Sequence, residues 1–111
     1  LLKQALLYDF YGELLTDHQK EIYEQFILED LSLGEIARDA GISRQGVHDL
    51  VKRCDRTLQE YEEKLHLVSR FLTVKEQIHK IREILDQEPA EDISVLKSEI
   101  RKISDEILEE L

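Results

Sequence analysis

Gln45, Asp49, Lys52 and Arg56 recur at steps of three and four residues. On a helix turning about 100° per residue they share one stripe, with His48 and Arg53 on its flanks. An amide, a carboxylate and two cations in that order can meet base edges in a major groove. There a Gln amide pairs with adenine and a basic side chain with guanine or phosphate. Arg44 and the backbone amides after Ser43 would stand at the helix N-terminus, a natural phosphate site. Arg38, just upstream, is placed to touch a phosphate backbone. The same residues also allow a plainer reading. Polar helix faces are usually only solvated, and Asp49 can pair internally with Lys52 or Arg53.

Such a stripe needs a rigid mount, and the preceding residues spell one. Ser32 and Glu35 form a capping box, opening a short helix with Ile36, Ala37 and Ala40 facing inward. Gly41 is placed to close it in a left-handed conformation, Ile42 to pack, and Ser43 to cap a new helix from Arg44. Helices separated by about three residues must cross steeply, and the small Ala37 lets their backbones approach; that is a helix-turn-helix over residues 32–56. Two helices should support it. One runs roughly from Leu2 to Leu15, with Leu6, Leu7, Phe10 and Leu14 inward and Tyr8 and Tyr11 widening that face. The other, capped by Thr16 with Gln19, carries Ile22, Tyr23, Phe26 and Ile27 to near Asp30.

The helix that starts at Arg44 has no early stop. Val47, Val51, Cys54, Leu58, Tyr61, Leu65, Val68 and Leu72 continue a heptad, with a break expected at Ser69 or Thr73. Val74, Ile78, Ile81 and Leu85 resume it. A linker is expected around Pro89, over 88–92, followed by Ile93, Leu96, Ile100, Ile103 and Ile107. The expected architecture is all-α: a helix-turn-helix domain over 1–56 and a helical dimerisation arm over 57–111. Leu58, Tyr61, Leu65, Val68, Leu72, Ile78, Ile81, Leu85, Ile100, Ile103 and Ile107 would form the seam. Its partner can be the same chain folded back over Pro89 or a second copy.

The whole chain of 111 residues carries a formal charge of −10, against the basic balance typical of nucleic-acid binders. Its distribution is uneven. Residues 1–31 sum to −5 and 57–111 to −6, while 32–56 stand at +1. Flanking acid would weaken non-specific phosphate attraction and sharpen salt dependence. The four histidines, His18, His48, His66 and His79, are scattered, and no Gly-rich phosphate loop or Ser/His/Asp set occurs. An enzyme, a metal, a cofactor and a small-molecule substrate are therefore not expected. Cys54, alone and on the apolar seam, reads as a packed thiol and fits a cytoplasmic protein. No apolar run reaches membrane-spanning length, and no signal-peptide pattern opens the chain. A sequence that begins with Leu and contains no Met is expected to lack a few leading residues.

From Leu14 to Arg56, the strings L-L-T-D-H-Q and S-L-G-E-I-A-R-D-A-G-I-S-R-Q-G-V-H-D-L-V-K-R resemble region 4 of bacterial sigma-70 factors. Over about residues 6–85, Y-D-F-Y-G-E-L-L-T-D-H-Q, S-R-Q-G-V-H-D-L-V-K-R-C and Y-E-E-K-L-H resemble the YlxM-type family of small bacterial proteins, encoded beside the signal recognition particle GTPase. The resemblance implies a sigma-like helix-turn-helix without a wing and long C-terminal helices. It also implies a DNA-binding regulator with a part in the signal recognition particle pathway. An accessory factor that binds the particle's GTPase or its RNA is the alternative it carries. The isoleucine heptads from Ile93 to Ile107 depart from the family's pattern.

Overall fold

A computed structural model describes residues 2–87 and 92–111. Six α-helices are present, and no strand occurs among the described residues. They are α1 (Leu2–Tyr11), α2 (Asp17–Ile27), α3 (Leu33–Ala40), α4 (Arg44–Leu65), α5 (Leu67–Leu85) and α6 (Ile93–Glu110), with a 3-10 turn at Gly12–Leu14. Two compact units divide between Val68 and Ser69. The linker expected at 88–92 lies, apart from Asp92, outside the described residues.

In the first unit α1, α2 and α3 all pack against α4. The core joins Leu7, Tyr8, Tyr11 and Leu15 to Ile22, Tyr23, Ile36, Ala37, Val47, Val51, Cys54, Leu58 and Val68. Both capping boxes form as their spacing requires: Thr16 with Gln19 and Ser32 with Glu35 exchange side-chain and backbone hydrogen bonds. Each satisfies two helix-end amides that would otherwise lack partners.

The inward face of α1 differs from the expected one. Tyr8 and Tyr11 are core residues, whereas Leu14 is 56% exposed and Phe10 sits at the surface. The α-helix gives way to a 3-10 turn after Tyr11, which changes the step per residue and swings Leu14 outward. Gly12 is buried at this transition, and a Cβ there would lie 2.7 Å from the Tyr8 ring. The tyrosines can go inward because each hydroxyl finds a carboxylate. Tyr8 donates to Glu24, Tyr23 donates to Asp55, and Tyr11 donates to Glu62 Oε1 at 2.5 Å. Gln4 Nε2 also donates to Asp55, 2.9 Å from each oxygen.

The long seam breaks at His66, earlier than at Ser69 or Thr73. His66 takes a left-handed conformation at φ 56° and ends α4. The next two amides are held by distant side chains: Leu67 N–H donates to the Tyr11 hydroxyl at 3.1 Å, and Val68 N–H to Glu62 Oε1 at 3.0 Å. These bonds give the first turn of α5 the partners that its backbone cannot supply.

In the second unit the protected positions keep heptad spacing. Val74, Gln77, Ile81 and Ile84 of α5 are half-buried, as are Leu96, Ile100 and Ile107 of α6, and Ile103 is 9% exposed. Both helices thus turn one apolar face inward within a single unit. Asp92 caps α6 by accepting the Ser94 amide at 2.8 Å.

The buried tyrosines and Cys54 set an alkaline limit on stability. Burial first, and then the neighbouring carboxylates, raise the pKa values of Tyr8, Tyr11 and Tyr23 above their ordinary 10.0. Burial and the nearby Asp55 push the Cys54 thiol up from 9.0 to about 11. The unfolded chain loses these protons at lower pH than the folded one, so folding is favoured fully below the ordinary values and progressively less above them. The urea midpoint should therefore stay level from pH 7 to about 8.5 and fall as pH rises beyond about 9. A midpoint level up to pH 11 would contradict this assignment.

Candidate nucleic-acid interface

Gly41 lets α3 end and α4 begin within three residues. Its φ of 70° is left-handed, and its amide, like that of Ile42, returns to the Ala37 carbonyl, at 3.0 and 3.2 Å. Ser43 then caps α4, its hydroxyl accepting from Gly46 N–H at 2.9 Å. Two features of the turn differ from the sequence reading: Ala40 is exposed, and Ile42 lies at the surface rather than packed. Ile36 and Ala37 are the fully buried residues of α3, with half-buried Leu33 packed against the same core.

With Val47, Val51 and Cys54 buried, the opposite side of α4 faces outward. Arg38, Ser43, Arg44, Gln45, Asp49, Lys52, Arg53 and Arg56 are all exposed, and His48 is half-buried. Among the described residues, nothing in the first unit covers the Gln45, Lys52 and Arg56 stripe. At its leading end a shallow depression of about 370 Å³ is lined by Leu33, Arg44, Gln45 and His48. Leu33 was not singled out by its chemistry; its position directly after the Ser32 cap is what sets it beside the first turn of α4.

The local charge is more positive on this surface than the +1 sum over 32–56 implies. Glu35 keeps its charge but holds it at the start of α3, where it accepts from the Ser32 amide. Asp55 turns toward Tyr23 and Gln4. Asp39 lies beside His18, Glu21 and Gln25 of α2. Of the four acidic residues in this stretch, Asp49 alone shares the stripe with Arg53, Lys52 and Arg56. Its partners are Gln45, whose Nε2 donates to Asp49 Oδ1 at 2.9 Å, and His48, whose Nδ1 lies 3.6 Å from that oxygen. Among the described residues it forms no ion pair with Lys52 or Arg53.

The residues expected to form the helical seam fall into three groups. Leu58 and Val68 are in the core of the first unit, and half-buried Tyr61 stacks on Tyr11 with ring centroids 6.0 Å apart. Ile81, Ile100, Ile103 and Ile107 lie on the protected faces of the second unit. Leu65, Leu72, Ile78 and Leu85 are exposed, Leu85 at 62%. Among the described residues no cluster of His, Cys, Asp and Glu is fit to hold a metal ion, and no helix is long and apolar enough to cross a membrane.

The profile of a family described as "Putative helix-turn-helix protein, YlxM / p13 like" matches residues 1–103. The chain belongs to this family. Among its relatives, a UPF0122 protein of Caldanaerobacter subterraneus is 52% identical over 84 residues, covering 76% of this chain and 72% of its own. One from Thermoanaerobacter sp. is 46% identical over 110 residues, 97% of this chain and 93% of its own. YlxM of Bacillus subtilis is 41% identical over 98 residues, 87% of this chain and 89% of its own. The likeness to YlxM-type proteins thus extends past residue 85 and through most of the isoleucine heptads of α6.

Proposed function

We propose that this YlxM-type protein is a DNA-binding regulator whose α4 enters the major groove, in the manner of a sigma-like helix-turn-helix. The observation that carries the reading is the exposed, net-basic stripe of Gln45, Lys52, Arg53 and Arg56 on a helix fixed by the Gly41–Ser43 turn. Lys52 and Arg56 supply the cations, while Arg44, Arg38 and the first amides of α4 meet the phosphates that flank the groove. The second unit serves as a dimerisation arm. Each exposed Leu or Ile of α5 that a second copy buries contributes roughly 1.5–3 kcal/mol. Two-fold pairing would set two copies of α4 about one duplex turn apart. The family likeness supports a place for this regulator in the signal recognition particle pathway.

Incubating the full chain with a randomised duplex library at low salt tests the reading, with the particle's GTPase and RNA as parallel baits. Retention and enrichment of duplex are expected. Failure to hold any duplex at low ionic strength, with retention by the RNA or the GTPase instead, overturns it.

A further inference from the structure

Asp49 is an acid at the centre of a surface meant for a polyanion. It repels every phosphate that approaches, so its presence costs general affinity. The geometry around it shows what it can offer in return. Gln45 Nε2 donates to Oδ1 at 2.9 Å and His48 Nδ1 lies 3.6 Å from the same oxygen, which leaves Oδ2 to accept from outside on a side chain that stays 59% exposed. Because the amide nitrogen of Gln45 is the atom that meets Asp49, its Oε1 is left as a second acceptor beside the carboxylate. Both lie in the first turns of α4, the part of a recognition helix that meets base edges. A carboxylate accepts hydrogen bonds and donates none.

Resting on the duplex-reading function above, we propose that Asp49 is a specificity-determining residue that selects a cytosine by accepting from its N4 amine. Cytosine presents that amine in the major groove with no acceptor on its own ring beside it, the pair's O6 and N7 belonging to guanine. Adenine carries N7 next to its amine, guanine shows N7 and O6, and thymine shows O4 and a methyl group. A braced carboxylate is therefore satisfied by cytosine, partly opposed by adenine and repelled by the other two. Gln45 acts as the positioning residue that holds the acceptor still, through its hydrogen bond to Oδ1. The acid trades general attraction for a choice of base.

The test is duplex-library selection at low salt with the full chain and its Asp49→Ala and Asp49→Asn variants, checked by urea melting to share one stability. The wild-type chain should enrich a site with one dominant cytosine. Replacing that C·G pair by T·A should weaken wild-type binding about 5- to 150-fold and leave the Asp49→Ala variant nearly unaffected. Both variants should bind unselected duplex more tightly than the wild type, since a repelling charge is gone. An enriched site whose cytosine survives in both variants overturns the assignment while leaving the duplex-reading function intact. So does binding without any sequence enrichment. Absence of duplex binding by all three chains removes that function, and this inference with it.

Discussion

Replacing Lys52 and Arg56 together by alanine should weaken duplex binding by roughly 30- to 700-fold, about 2–4 kcal/mol for two lost base or phosphate contacts. Folding should be nearly untouched. Both side chains are exposed on the outer side of α4, and neither is part of the core beneath it. Surface changes of this kind usually alter stability by no more than about 0.5 kcal/mol. Titrations at several salt concentrations separate the two roles. Each phosphate contact removed should lower the slope of log affinity against log salt by about 0.9, whereas a lost base contact lowers affinity with little change in slope. Fluorescence anisotropy with a labelled duplex reads both quantities. An unchanged affinity in the double variant would mean that α4 is not the reading helix.

Leu58→Ala should destabilise the protein by about 3–5 kcal/mol, while Leu85→Ala should move the urea midpoint hardly at all. Both leucines occupy heptad positions, and only their surroundings separate them. Leu58 is fully enclosed in a core shared with Tyr11, Val51 and Cys54, so truncation leaves a cavity that rigid neighbours fill only in part. Leu85 is 62% exposed at the end of α5 and has little burial to lose within its own chain. Against a total stability of about 5–15 kcal/mol, the first change threatens the fold itself. The second should act on self-association. Sedimentation at increasing protein concentration should show weaker dimers for Leu85→Ala if a second copy covers that part of α5. Equal destabilisation by the two substitutions would contradict the burial pattern.

The parts of this fold that could be read from sequence are those held by near neighbours. Thr16 with Gln19, Ser32 with Glu35, and Ser43 ahead of Arg44 each cap a helix from within three residues. Gly41 is the residue that a left-handed helix end prefers. The exposed stripe on α4 follows from the same short-range logic, because burying Val47, Val51 and Cys54 obliges Gln45, Lys52 and Arg56 to face outward. The α4–α5 break is different. Its left-handed residue is a histidine, and the groups that hold the new helix start include Tyr11, separated by more than fifty residues from Leu67. A heptad running unbroken through Leu65 and Val68 carries no trace of that contact. The sequence does place Tyr8 and Tyr11 on the apolar face, but not their full burial at the expense of Phe10 and Leu14, which depends on Glu24 and Glu62 meeting their hydroxyls across helix interfaces. Nor does composition show that Asp55 leaves the reading surface for Tyr23 and Gln4, and so leaves Asp49 as its single acid.

The central claim is that the outer side of α4 is the surface that meets duplex DNA, and an NMR titration measures it residue by residue. Adding the best-retained duplex from the library to the isotopically labelled chain at low salt should shift amides from Arg44 to Arg56, with Arg38 beside them. Signals from the far end of α5 and from α6 should stay in place. Shifts confined to α5 and α6, with the amides of α4 unmoved at saturation, would contradict the claim.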